Sequence, residues 1–280
     1  MEVILNFSVD SRELLTGILA CAQQRPPHSW VLWWLDDYPF PLGVLPVERV
    51  ERLAVALPDV APLLKVGEHY RWRAAHLSSS ERSALLQSIA EGLRNQGLIT
   101  GWRGEVFSCW GNRNDHWPYA QPELFRLERA AFRYFGLRSH AVHVHGLTQD
   151  GQMWCGRRAP SKATDPGRLD NLAAGGIPAG EGAEQCAARE ILEEAGLVRL
   201  PSDLIGPRQE VLTERQVPEG WHSERLFVFS LAIGPDERPA NRDGEVSGFH
   251  AFGAAEVIDL IQKRSFTEDA ACAIAATFCR

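Results

Sequence analysis

A mixed α/β fold (α+β), with a helix-covered sandwich preceded by a smaller α+β unit, is predicted by three features of the sequence. Tryptophan is unevenly placed: Trp30, Trp33, Trp34, Trp72, Trp102, Trp110 and Trp117 all precede residue 118, whereas an unusually acidic segment lies beyond residue 140. Two extended runs, HAVHVHGL (140–147) and QMWCGRRA (152–159), flank TQDG, which is a hairpin signal. Strand-like and helix-like runs then alternate around the acidic stretch GGIPAGEGAEQCAAREILEEAGL, as an α/β/α layering requires. At 280 residues with 45% hydrophobic content, the chain has length and apolar surface for two units, expected at 1–121 and 122–280.

In the first unit, SWVLWWL (29–35) and EVFSCWG (105–111) are short apolar runs bounded by breakers and predict strands. VERVERLAVALPDV (47–60) and SSSERSALLQSIAEGLRNQG (78–97) predict helices, the second opening on a serine N-cap and stopping at Gly97. PELFRLERAAFRY (122–134) has helical periodicity with Gly136 as its stop, and the boundary is placed at its start. In the second unit, the hairpin leads into a polar loop at 160–171 and then the acidic helix at 183–195, flanked by Gly182 and by Gly196 as a left-handed stop. RQEVLTERQV (208–217) and RLFVFSLAI (225–233) predict strands, and 253–264 and 267–279 predict closing helices.

A net charge of -7 disfavours non-specific binding to nucleic acid or to an anionic membrane. The N-terminal stretch lacks a basic segment followed by an apolar run, and no run is long enough to cross a bilayer, so a cytoplasmic protein is expected. Cys21, Cys109, Cys155, Cys186, Cys272 and Cys279 are scattered, without zinc-ligand spacing, and read as reduced structural thiols. The sequence leaves homodimer formation open.

The acidic helix poses the functional question. At about 100° per residue, Glu190, Glu193 and Glu194 share one face, while Ala187, Ile191 and Ala195 form an apolar stripe. Apart from Arg189, which reaches Glu193 one turn on, the helix carries no basic residue to offset the repulsion. A divalent cation would offset it, and hard oxygen ligands suit Mg²⁺ or Mn²⁺. An acidic solvated surface helix is the alternative that the helix alone leaves open.

Spacing separates the two. Gly175, Glu181, Arg189, Glu190, Ile191, Glu193, Glu194, Gly196 and Leu197 fit G-x5-E-x7-R-E-U-x-E-E-x-G-U without a departure. The segment resembles the signature box of the Nudix hydrolases. The resemblance implies a loop-helix-loop in an α/β/α sandwich that binds Mg²⁺ and hydrolyses a small-molecule diphosphate attached to another moiety. It implies Glu190, Glu193 and Glu194 as metal ligands, with Glu181 supporting the shell through water and Gly175 placed in the same set through its backbone. One of these glutamates, or a carboxylate from elsewhere, is the general base; Glu245, in DGEV, is the outside candidate, with a turn residue as its alternative.

The flanks, at 146–177 and 241–249, together with GLITGWRGEVFSCW (97–110), are similar to those of a subgroup related to the Nudix part of fungal thiamine pyrophosphokinase-like proteins. That similarity implies hydrolysis of thiamine diphosphate derivatives, oxidised or damaged forms in particular, to monophosphates. ADP-ribose, NADH, a nucleotide sugar or an oxidised nucleotide are rival substrates, and a non-catalytic ligand-binding module is a rival role. Arg157 and Arg158 end a strand whose alternation sends one to each face, so one of them can clamp phosphate. Lys162 is a second phosphate-binding candidate, and Asp170 and Asn171 brace the loop or bind substrate. The tryptophan-rich first unit offers either a stacking surface for a flat heterocycle or simply a core. His143 and His145 face one side of a strand without a third ligand, so packing or hydrogen bonding is expected of them.

Overall fold

A computed structural model describes Leu5, residues 7–113 and residues 121–279; Trp117 lies outside the described residues. Its N-terminal sheet has the order β2-β1-β4-β3, built from β1 (Trp30–Leu35), β2 (Gly43–Pro46), β3 (Leu63–Val66) and β4 (His69–Trp72). Strands β1 and β4 are parallel, and β1–β2 and β3–β4 are antiparallel. Trp33 and Trp72 are fully buried at its centre, their indole N–H groups donating to the carbonyls of Phe135 and Ala61. Helix α2 (Val47–Ala56) buries Val50 and Leu53 in the same core. Helix α3 (Ser79–Asn95) starts as its serine run predicts: Ser78 accepts from the backbone N–H of Glu81, whose carboxylate accepts from the Ser78 N–H.

The stretch expected as a helix over 122–134 is instead strand β6 (Phe125–Glu128) followed by helix α4 (Arg129–Phe135). Phe125 and Leu127 alternate into the N-terminal core while the strand pairs with β5 (Val106–Cys109), so tertiary pairing overrides a weak local helical pattern. Glu128 ends the strand and caps the helix, accepting from Ala130 N–H at 3.4 Å.

Seven strands form the second sheet, in the order β11-β12-β7-β8-β13, with β10 on β7 and β9 on β8. They are β7 (Arg138–Thr148), β8 (Gln152–Arg158), β9 (Leu169–Asp170), β10 (Ala173–Gly176), β11 (Ile205–Val217), β12 (Gly220–Ile233) and β13 (Val246–Gly253). The 160–171 loop thus ends in a short strand. Helix α5 (Ala183–Ala195) packs Ala187, Ile191 and Ala195 on one face of the sheet, against Val142, Val144, Phe227 and Phe229. On the other face α1 (Val9–Cys21), α6 (Ala254–Gln262) and α7 (Glu268–Phe278) bury Leu15, Val257, Ile261 and Ile274 with Leu147, Met153 and Cys155. The result is the α/β/α layering expected from the sequence.

The hydrophobic clusters join the two halves. Leu5, Phe7 and Leu15 from the start of the chain sit in the second sheet's core, and residues from Phe125 to Leu137 sit in the first. At the junction, Gly136 adopts φ 62°, and a Cβ there would lie 1.9 Å from the Val44 carbonyl oxygen. Only glycine fits that contact. Among the described residues, no helix is long and apolar enough to cross a membrane.

Candidate functional site

Strand β10 and helix α5 bring the box together. The helix ends at Gly196 in the left-handed conformation (φ 68°), whose N–H donates back to the Leu192 carbonyl. Glu190 leans on the strand so closely that a Cβ at Gly175 would stand 2.1 Å from its Oε1. The glycine therefore makes room for a carboxylate. Glu194 is 7% exposed and accepts from Ala174 N–H at 2.9 Å.

Arg189 organises the rest. Its guanidinium donates to Glu181 at 3.0 and 3.1 Å and to Glu193 at 2.8 Å, and stands 2.8 Å from Glu190 Oε1. Burial opposes its charge, but Glu181 and Glu190 outweigh that and hold it firmly protonated. Burial pushes the Glu190 carboxyl up to about 7 against the pull of Arg189, with Glu193 and Glu245 adding to the rise. Glu194 is raised as well, by burial first and then by Glu190 and Asp170, against its backbone hydrogen bond. Two carboxylates are thus held where ionisation is unfavourable without added positive charge. Glu193 is 45% exposed in its side chain and turned to Arg189.

A cavity of about 430 Å³ lies beside β10, between the two sheets' units. The second unit lines it with Ser139, Ala141, His143, Arg158, Lys162 and the β10 backbone at Ala174–Gly176. The first unit lines it with Arg103 and Phe107, and α4, whose neighbours pack in the first core, adds Arg129, Phe132 and Arg133. The box glutamates touch its β10 wall at Ala174 and Gly175 and do not themselves line it.

The flanking candidates divide. Lys162 and Arg158 line the cavity, and Arg157 does not; its guanidinium donates to the Gly167 carbonyl at 2.8 Å. Arg158 is tied to Asp170 at 3.0 Å and to the Thr164 carbonyl. Asn171 is buried, its Oδ1 2.7 Å from His143 Nδ1, which makes it a brace for the cavity wall. His145 is held by the Ala273 carbonyl and Thr277 hydroxyl of α7. Glu245 lies between Lys162 Nζ and Arg103, the latter at 3.5 Å. None of the tryptophans among the described residues lines the cavity; its aromatic surface is Phe107 and Phe132. Of the two roles open to the tryptophans, Trp33 and Trp72 take the core one, with Trp102 packed against it.

Sequence reasoning missed Arg103, Arg129 and Arg133. A faint signal existed for Arg103, bracketed by Gly101 and Gly104, both at positive φ. Among the described residues, the trio of metal-type ligands within 4.8 Å of one another is His222, Glu224 and Asp269, not the box. Arg215 already binds Asp269 through two 2.8 Å contacts, and the Ser139 hydroxyl lies 2.7 Å from Glu224, so that trio is a satisfied polar network.

The NUDIX domain model matches residues 137–274, and DUF4743, a domain of unknown function, matches residues 66–139. Nudix hydrolase 24, chloroplastic, of Arabidopsis thaliana is 31% identical over 79% of this chain and 60% of its own length. Nudix hydrolase 20, chloroplastic, of the same plant is 34% identical over 66% of this chain and 49% of its own length. The chain therefore spans between about half and three-fifths of these relatives. Among solved structures, the E. coli dihydroneopterin triphosphate pyrophosphohydrolase is 18% identical, covering 50% of this chain and 94% of its own, with a TM-score of 0.39. The family match and the intact box lie on the same elements, β7 to α7, and this chain carries a NUDIX domain at residues 137–274.

Proposed function

We propose that the protein is a pyrophosphohydrolase that uses Mg²⁺, or Mn²⁺ in its place, to cleave a small-molecule diphosphate in the cavity beside β10. The observation that carries this reading is the pairing of two buried carboxylates, Glu190 and Glu194, with a neighbouring cavity lined by Lys162, Arg158, Arg103 and Arg129. The donor set fits the metal: these are hard oxygen ligands in a place where burial and mutual repulsion leave negative charge uncompensated. Glu190, Glu194 and, after leaving Arg189, Glu193 would hold it, with Glu181 and the Gly175 backbone in support. Bound there, the ion supplies charge neutralisation at the phosphoryl oxygens and a more acidic water.

The chain's own groups do the rest. Lys162 and the cavity arginines neutralise phosphoryl oxygens that would otherwise repel the nucleophile. Water attacks one phosphorus, the P–O–P bond breaks, and a carboxylate takes the proton; Glu245 and the box glutamates are the candidates. Phe107 and Phe132 offer an apolar surface to the attached group, and the first unit thereby takes part in substrate binding. For that group we favour an oxidised or damaged thiamine, released as the monophosphate, on the likeness of the flanking segments.

The test is product formation with Mg²⁺ from thiamine diphosphate, its oxidised analogues, ADP-ribose, NADH and an oxidised nucleoside triphosphate, run beside Glu194→Gln and resolved by chromatography. Fastest turnover of thiamine compounds, lost in the variant, is the expected result. Preference for a nucleotide refutes the thiamine assignment alone; no variant-sensitive turnover on any substrate refutes the hydrolase.

A further inference from the structure

We propose that Arg103 and Lys162 form a diphosphate-binding pair contributed by the two units, and that Glu245 occupies it as an internal anion which the substrate displaces. The proposal rests on the hydrolase reading for its ligand class and adds a residue outside the NUDIX domain to the site. Three observations meet here. Both cations line the cavity next to β10. Both point at one carboxylate, Glu245, with Lys162 Nζ on Oε2 and the Arg103 guanidinium 3.5 Å from Oε1. The geometry of the free protein is therefore that of two cations sharing an oxyanion.

The backbones on all three sides are anchored, so the convergence is built in. Arg103 N–H donates to the carboxylate of Glu128, a buried residue, at 3.0 Å, between Gly101 and Gly104 at φ 71° and 72°. Glu245 N–H is held by Asp243 at 2.8 Å, and its carbonyl accepts from Ala159 N–H at 2.8 Å. Lys162 closes the same turn on the Ala159 carbonyl at 3.1 Å. The Lys162 side chain is 14% exposed, whereas that of Arg103 is 43% exposed and contacts Glu245 only at the edge of hydrogen-bond distance. A lysine so far desolvated needs an anion, and Glu245 supplies one. The arginine's longer contact leaves its planar fork able to take a phosphate in a bidentate way.

Neighbouring charges favour the exchange. Arg129 adds a cation near Glu245, although Glu105 binds it at 2.8 Å. A diphosphate carries more charge than one carboxylate and offers several acceptor oxygens to the same donors. Where it now stands, Glu245 is close enough to Glu190 for their charges to interact, so the pair lies beside the box. The domain of unknown function at residues 66–139 thereby acquires a role: it delivers a guanidinium to Glu245 and Lys162, which lie in the NUDIX domain.

Calorimetric titration of inorganic pyrophosphate into the full chain, with EDTA present, tests the pair without turnover. Arg103→Gln is expected to bind about tenfold more weakly than the unmodified protein, the loss of one charge-assisted contact. Glu245→Gln is expected to bind up to about fivefold more tightly, because the competing ion pair is gone. In the Arg103→Gln background the gain from Glu245→Gln should shrink, and thermal melts of each variant check that it is folded. Unchanged affinity in Arg103→Gln, no gain in Glu245→Gln, or no pyrophosphate binding by any of the proteins overturns the proposal. Turnover of the substrate panel with flat pyrophosphate results sinks the exchange alone, whereas the expected binding without turnover on any substrate sinks the hydrolase and leaves an anion site.

Discussion

Replacing Gly175 by alanine isolates the placement of Glu190 from the stability of the fold. The added Cβ would meet Glu190 Oε1 at 2.1 Å and Cδ at 2.2 Å, where ordinary contact begins at 3.4 Å, so the carboxylate has to retreat by about 1.3 Å. Gly175 does not have the positive φ that strains an L-residue, and the obstacle is the end of a side chain rather than backbone. The fold should therefore survive, with a melting temperature within a few degrees of the parent. A displacement of about 1 Å in a positioning group costs roughly 10²-fold in rate. The assay is Mg²⁺-dependent turnover of the best substrate in the panel, beside a thermal melt. Gly176→Ala is the control next door: its Cβ would stand 2.4 Å from the buried Phe107 ring, so it should lower the melting temperature. Full activity in a folded Gly175→Ala protein would refute the claim that the strand positions Glu190 for the reaction.

Other outcomes follow from single contacts. Glu194→Gln keeps an acceptor for the Ala174 N–H but loses the charge, so turnover should fall by at least about a hundredfold with the fold intact; a collapsed melt would mean that the helix is only structural. Burial pulls His145 down to about 3 from an ordinary value of 6.5, and His143 adds to the effect against the Ala273 carbonyl; among the described residues its Nδ1 has no acceptor to which the N–H of an imidazolium could donate. Because the folded value is depressed, the stability it contributes is present above pH 6.5 and is lost as pH falls toward 3, at about 1.4 kcal/mol per pH unit. Denaturant melts of His145→Gln at pH 6.5, 5.5 and 4.5 should show a slope shallower than the parent's by that amount, and parallel slopes would refute it. Gly136→Ala combines left-handed strain with a 1.9 Å approach to the Val44 carbonyl, so a loss of at least about 3 kcal/mol is expected in the same assay.

What was legible in the sequence follows from where the signal is local. The acidic helix, its glycine stop and the register of its glutamates depend on residues within one turn of each other, and the structure has them as the spacing requires. The Ser78 box was readable for the same reason. FRLE, four residues long, satisfies alternation and helical spacing almost equally, and only β5 decides between them. Helix α1 escaped notice although Leu14, Leu15, Ile18 and Leu19 have helical spacing and Ser8 caps it. There the signal was present and unread. The cavity is another matter. Arg103 and Glu245 are 142 residues apart, and no periodicity in either segment announces that they meet.

The clustered glutamates that made the sequence conspicuous are held in the fold by a single cation of their own helix. Arg189 meets the charge of Glu181, Glu190 and Glu193 from within the helix, so part of the repulsion is offset by one guanidinium. Among the described residues, Glu194 has a backbone N–H as its direct partner, and it is the most deeply buried of the box glutamates. Across the cavity the signs reverse: Lys162 and Arg103 converge on one carboxylate. Glu194 apart, the charges of each half are held in internal pairs whose partners have the wrong valence to be final. A divalent cation suits the carboxylates better than one guanidinium shared among three, and a diphosphate suits two cations better than one carboxylate. On the proposed function, binding exchanges the ion pairs of Arg189 and Glu245 and offsets the charge left on Glu194. That is why removing Glu245 is expected to strengthen anion binding, whereas removing Glu194 is expected to end turnover.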